Sequence, residues 1–302
     1  MSASASTQPQ PTDPTSSFPS LRSIIHPAAG RRHTHTAILL HGRASTGPEF
    51  SEELFERDDS CPDYYKALNE RFPGFRWVFP SSKTSWNDLF QEDIAAWFEA
   101  YSLSDPTEKQ ELQTSGIAES VAYLKTVIQD EIDKLGGDAG RLVLGGISQG
   151  AAVGMLTLLS LGQSVGGFFG ASTWLPFASD IRRHFGATAA KEEEREEDVG
   201  GNPFAELKTA LGWQKSNENN SISGAVMKTP VWLGHGVDDV WVDVWLGRQA
   251  RDTLRGVGFE VVGWKEYEGA ENEGHWFKIP EEIDDVAEFL ARVTGCASSA
   301  QY

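Results

Sequence analysis

Gly146-Ile147-Ser148-Gln149-Gly150 fits the G-x-S-x-G turn, which projects a serine between a strand and a helix as a nucleophile for acyl transfer. Gly162-Gln163-Ser164-Val165-Gly166 fits it too, so spacing alone does not choose between them. Context does. The first match follows the apolar run 142–144 and opens the helical stretch 151–161, whereas the second ends that stretch and leads towards Phe168. Only Ser148 has the strand-turn-helix setting. The glycines two residues either side of it are expected where any Cβ would crowd a strained turn and its neighbours.

A serine hydroxyl is a weak nucleophile at its own pKa, so Ser148 needs an imidazole base held by a carboxylate, in chain order serine, acid, histidine. The run 231–233 leads into Gly234-His235-Gly236-Val237-Asp238-Asp239, placing acidic residues at a strand's carboxyl end, where α/β sites are assembled. Asp239 is the choice over Asp238, and the competing role for either is a cap on the helix near Val242. The strand 261–267 then leads through a Glu- and Gly-rich loop to His275, just before the last helix. Of the seven histidines, His26, His33, His35 and His41 precede the serine, His184 falls in an insertion and His235 precedes the acid. His275 alone keeps the order.

Acyl transfer also needs donors for the tetrahedral oxyanion, in this architecture backbone N–H groups after the nucleophile and after an early strand. Gln149 supplies the first, and the amide of Arg43, in His41-Gly42-Arg43 at the end of the run 37–41, is the natural second. His33 and His35 share one face of an extended segment but form only a polar pair, and no metal or other cofactor is expected.

The elements that must position these groups are legible as apolar runs alternating with segments of helical period. The runs 37–41, 77–79, 142–144, 168–171 and 231–233 read as strands buried on both faces. Ile117, Val121, Leu124, Ile128 and Ile132 mark one helical stripe ending at Gly136; Leu246, Ala250 and Leu254 mark another before Gly256; Ile283, Val286 and Leu290 follow Pro280 on a third. This predicts an α/β fold, a mainly parallel central sheet flanked by helices on both faces, over residues 21–296. Residues 1–20, rich in Ser, Thr, Pro and Gln, and residues 297–302 are expected to be tails, the first disordered. Residues from about 180 to 228 are read as an acidic, flexible insertion, because they hold Lys191 to Asp198 (KEEEREED). It reads as a solvated surface loop, or as a lid over the site.

At 302 residues with 39% hydrophobic content the chain can bury a sizeable core. A net charge of −18 repels nucleic acid and anionic lipid. No run approaches the roughly 18 apolar residues of a membrane helix, so membrane insertion is not expected. Only Cys61 and Cys296 are present, which argues against a disulfide framework and for a cytoplasmic setting.

Four motifs resemble the acyl-protein thioesterase and carboxylesterase family, also labelled phospholipase/carboxylesterase, of the α/β-hydrolase superfamily. They are Leu39-Leu40-His41-Gly42, the Ser148 pentapeptide, His235 to Asp239 with Val242, and the Tyr267-Glu268-Gly269 approach to His275. Trp97-Phe98-Glu99, Ser115-Gly116-Ile117 and Trp174-Leu175-Pro176 are similar to its intervening signatures, and the likeness spans about 23–293 apart from the acidic insertion. The resemblance implies an α/β-hydrolase fold, cleavage of acyl esters or thioesters, S-acylated proteins among the substrates, and the same Ser148, Asp239 and His275. It further implies an oxyanion hole at Arg43 and Gln149 and an acyl pocket near Trp174 and Leu175. Where the family continues from His-Gly with Leu-Gly-Asp, this chain has Arg43-Ala44-Ser45. A guanidinium there argues against a long acyl tunnel and admits a small-ester or lactone substrate carrying a carboxylate. Trp276 either reshapes the pocket or lies solvent-facing on the last helix. A noncatalytic ligand-binding module is the rival from another class.

Overall fold

The computed structural model describes residues 18–21, 23–56, 65–87, 91–102, 105–186, 202–213, 224–259 and 261–296. Most of the expected N-terminal tail, the whole KEEEREED run and the C-terminal tail lie outside them. Along the chain come β1 (Ser23–Ile25), β2 (His35–Leu40), α1 (Gly47–Phe55), α2 (Leu68–Arg71), β3 (Phe75–Phe79), β4 (Lys83–Asn87) and β5 (Glu92–Ala96). The long helix α3 (Gln113–Lys134) follows, then β6 (Leu142–Ile147), α4 (Ser148–Leu159), β7 (Gly167–Ala171), α5 (Ala178–Phe185) and α6 (Pro203–Leu211). The described chain closes with β8 (Val231–Gly236), α7 (Val244–Gly256), β9 (Val261–Tyr267) and α8 (Glu281–Thr294).

Seven strands form one sheet in the order β1-β3-β2-β6-β7-β8-β9, with only β1 antiparallel to its neighbour, while β4 and β5 make a separate antiparallel hairpin. The parallel strands are buried on both faces because successive side chains enter different cores. Ile38, Leu40, Val78, Leu144, Phe168 and Leu233 pack with α3, α4, α6 and α7. Ala37, Leu39, Trp77, Phe79, Val143 and Phe169 pack with α1, α2 and α8. Every residue of α4 is buried, and its sequence is apolar all round apart from Ser148, Gln149 and Thr157. The stripe of α3 spans the predicted residues, and Gly136 beyond its cap takes φ +75°.

The segment read as a flexible insertion is corrected in part. Its described portions are anchored: α5 buries Ile181, α6 buries Phe204, Leu207 and Leu211, and Trp213 and Val226 complete the same core. Asn202 caps α6 by accepting from the Phe204 amide at 2.9 Å, Pro203 opens its first turn and Gly212 ends it at φ +74°. Apolar spacing of three and four residues on α6 is core-facing periodicity, not the pattern of a solvated loop. Pro280 is the residue before the first turn of α8, one place earlier than a first-turn proline.

Candidate active site

Ser148 is the first residue of α4, directly after β6, and holds φ +53°. A non-glycine residue in this left-handed region carries about 1–3 kcal/mol of strain, which the surrounding packing must hold. The packing is backbone on backbone. A Cβ on Gly146 would stand 2.5 Å from the Leu40 carbonyl oxygen, and one on Gly150 would stand 2.3 and 2.4 Å from the carbonyl oxygens of Leu40 and His41. Both glycines of the motif are therefore required by the end of β2 pressing against the turn. Thr173, after β7, donates its hydroxyl to the Ser148 carbonyl at 2.8 Å. By contrast, Gly162 to Gly166 run from the end of α4 into β7 with no such turn.

Asp239 follows β8 and His275 follows β9, at the carboxyl edge of the sheet where Ser148 follows β6. His275 Nδ1 lies 2.8 Å from Asp239 Oδ2, leaving Nε2 as the nitrogen that can serve a hydroxyl. The other carboxylate oxygen accepts from the amides of Trp241 and Val242, both at 2.9 Å. Asp239 thus turns the chain ahead of α7, while the cap itself is Asp243, which accepts from Trp245 N at 2.8 Å. Asp238 is exposed and points elsewhere, accepting from the Gly269 amide at 2.9 Å. Burial alone would raise the Asp239 pKa, but hydrogen bonds from His235 and His275 outweigh it and hold the carboxyl far below its usual range.

His235 was set aside on chain order, and it does not take the base position. It is instead a support: fully buried, it donates from Nε2 to the Val242 carbonyl at 2.8 Å, with that nitrogen 3.4 Å from Asp239 Oδ2. Its position four residues before the acid was the available signal. A second buried group holds the segment that follows His275. Glu282, in the first turn of α8, accepts from the Lys278 amide at 3.0 Å, and its other oxygen has no hydrogen-bond partner among the described residues. That oxygen lies over β8, 2.2 Å from where a Cβ on Gly234 would stand. Burial pushes the Glu282 carboxyl up to about 8, against the opposing pull of the Lys278 amide.

The Gln149 amide lies in the first turn of α4, where helical N–H groups have no partner within the helix. Its side chain is a clamp: Oε1 accepts from Trp97 N at 2.9 Å, and Nε2 donates to the Phe98 carbonyl at 2.8 Å. Trp97 Nε1 in turn donates to the His41 carbonyl at 2.9 Å. His41 completes the staple, with Nδ1 2.7 Å from the Gly42 carbonyl and Nε2 accepting from Ser82 N at 3.0 Å. Burial lowers its pKa to about 4, so it is neutral. This network holds the segment Gly42-Arg43 beside the serine: a Cβ on Gly42 would stand 3.5 Å from Ser148 Cβ.

Trp174 and Leu175 follow Thr173 and are enclosed, with Trp174 packed edge-on against Phe98 at 6.2 Å. Both belong to the same buried core as α3, α4 and α6. Trp276 is half-buried and meets Phe50 of α1 edge-on at 5.9 Å, so the expectation of a solvent-facing ring on the last helix is corrected. His33 and His35 do not converge on a common site: His33 Nε2 lies 2.9 Å from Thr36 Oγ1, and His35 Nδ1 lies 3.4 Å from Cys296 Sγ.

A mainly parallel sheet in this strand order, with its candidate functional loops at one edge, defines an α/β hydrolase. Residues 22–193 match the sequence profile described as phospholipase/carboxylesterase, and the chain belongs to that family of hydrolases. It is 28% identical over 273 residues to acyl-protein thioesterase 1 of Gibberella zeae, covering 89% of this chain and 94% of that one. It is 29% identical over 268 residues to acyl-protein thioesterase 1 of Aspergillus fumigatus, covering 87% and 89%. Among solved structures, Zea mays acyl-protein thioesterase 2 shares the fold with a TM-score of 0.62 at 23% identity, covering 90% of this chain and 98% of that one. No helix among the described residues is long and apolar enough to cross a membrane.

Proposed function

We propose that the protein hydrolyses acyl esters and thioesters through Ser148, Asp239 and His275, by way of an acyl-enzyme. The observation that carries this is the 2.8 Å contact between His275 Nδ1 and the buried Asp239 carboxylate, at the sheet edge where a strained turn presents Ser148. His275 Nε2 takes the Ser148 proton as Oγ bonds to the acyl carbon, and the carbonyl π pair moves onto oxygen. The amides of Gln149 and Arg43 receive that oxyanion. Its collapse breaks the bond to the leaving group, which departs with the proton from His275. Water then attacks the acyl-serine in the same way and returns the proton to Ser148. Asp239 stays ionised throughout and stabilises the imidazolium. Trp174 and Leu175 form the wall beside the acyl group.

The fungal relatives named acyl-protein thioesterase support S-acylated proteins as a substrate class. A thiolate leaves more readily than an alkoxide, so thioesters ask less of the general acid. Arg43, next to Gly42 beside the serine, favours a second reading in which a small ester or lactone bearing a carboxylate is cleaved by the same machinery. The two-cysteine composition fits action in the cytoplasm. The test is turnover of matched oxygen and sulfur esters by Ser148→Ala and His275→Ala. Each should lose several orders of magnitude in kcat while substrate binding persists. Near-normal turnover by Ser148→Ala rules the mechanism out.

A further inference from the structure

The loops that carry Asp239 and His275 also build a surface that acyl transfer does not use. Val240, Trp241 and Trp245 are 65%, 53% and 60% exposed, an unusual concentration of large apolar side chains within six residues. The two loops form one unit: Val237 N donates to the Tyr267 carbonyl at 2.7 Å, and Val240 N to the Glu273 carbonyl at 3.2 Å. Across the seam, Asp238 accepts from Gly269 N. Glu268, Glu271 and Glu273 are exposed on the second loop, and Asp238 and Asp243 on the first, while neither 237–245 nor 268–275 contains Lys or Arg. The bordering cations are engaged, Arg248 by Glu266 at 2.8 and 2.6 Å and Lys278 by the Gly269 carbonyl at 2.7 Å. The result is a tryptophan-rich patch within an anionic rim, joined to the candidate triad by the contact between His275 and Asp239.

Resting on the proposed acyl hydrolysis, we infer that this surface receives the polypeptide part of the substrate, and that the preferred segment is cationic with apolar residues beside its acylated position. Charge complementarity decides the occupant. A second copy of this chain carries −18, and its matching face repeats the same carboxylates, so acid would meet acid. An anionic lipid surface is repelled for the same reason. Lysine and arginine flanks satisfy the rim, and their apolar neighbours cover the exposed rings.

The experiment uses the full chain and two acyl-cysteine peptides of equal length and equal acyl group, one flanked by lysines and the other by glutamates. The cationic peptide should show kcat/KM about tenfold higher at low ionic strength, the ratio collapsing towards unity as salt screens the rim. The double variant Glu271→Lys/Glu273→Lys should lower or invert that ratio, which is taken within each variant so that any general loss cancels. Trp241→Ser/Trp245→Ser should raise KM for both peptides. Equal rates for the two peptides, or a ratio untouched by charge reversal, overturn the inference, as does salt-insensitive binding of the unacylated cationic peptide by calorimetry. Concentration-dependent self-association abolished by the tryptophan variants assigns the patch to a second copy, and cosedimentation with phosphatidylserine vesicles assigns it to lipid; either overturns it too. Turnover of a small neutral nitrophenyl ester separates the two levels. Its absence sinks the hydrolytic mechanism, whereas calorimetry still reports on the surface.

Discussion

Replacing Glu282 with glutamine should remove a stability loss that the wild-type protein suffers as pH rises. The carboxyl is fully enclosed beneath α8, bonded through one oxygen to the Lys278 amide, three residues after His275. The groups facing it are Asp285 on its own helix and Lys265 on β9; burial, reinforced by the Asp285 carboxylate, outweighs the Lys278 amide and Lys265 and moves the carboxyl from its ordinary 4.5 to about 8. The folded protein therefore keeps a proton that the unfolded chain releases. The stabilisation is fully present below the unfolded pKa of 4.5 and is lost progressively until the folded pKa near 8 is passed. At about 1.4 kcal/mol for each pH unit in that interval, the loss approaches about 5 kcal/mol as an upper bound. Glutamine keeps the acceptor for Lys278 N and cannot ionise, so denaturant midpoints of Glu282→Gln and wild type should be close at acid pH and diverge towards pH 8, the variant being the more stable. Parallel curves across that interval would refute the assignment of a proton to buried Glu282.

Asp239→Asn should leave the fold intact and reduce kcat by about 10⁴, because the imidazole loses the carboxylate that fixes its tautomer and stabilises its charged form; steady-state kinetics on a nitrophenyl ester checks this. His235→Leu, which removes the Nε2 donor beside Val242 and Asp239, should reduce kcat/KM in steady-state assays by about 10- to 100-fold, an effect typical of lost outer supports. Gly150→Ala places a Cβ against two backbone carbonyls, which flexible side chains cannot relieve. It should destabilise by about 2–4 kcal/mol, seen as a Tm lowered by about 5–15 °C, and should displace the Gly42-Arg43 segment enough to depress turnover.

The parts of the fold legible in the sequence are those where one physical demand acts alone. The strands β2, β3, β6, β7 and β8 must be apolar on both faces, and α3, α7 and α8 on one stripe, so their residues declare them. The edge strand β1 has three half-buried residues, and β4 (KTSWN) and β5 (EDIAA) pair only with each other, so no alternation marks them. Helix α6 did carry its signals, Asn202 and Pro203 at the start and Gly212 at the end, but the acidic run before it gave the whole region the composition of a solvated loop. At the candidate site, chain order and strand ends nominate Ser148, Asp239 and His275, and the last two meet at 2.8 Å. The separate tasks of Asp238 and Asp239 are set by Gly269 on one side and His275 on the other, partners more than thirty residues away. His235 and Glu282 have near partners, Val242 and Asp239 for the one and Lys278 for the other, but their support roles depend on full burial, which spacing in the sequence does not display.

The central claim, that Ser148 is an activated nucleophile, is tested most directly by intact and peptide mass spectrometry after brief exposure to a fluorophosphonate. One adduct is expected, on Ser148, abolished by Ser148→Ala and strongly slowed by His275→Ala. Folded protein that stays unlabelled, or that carries the adduct on another residue, would contradict the account.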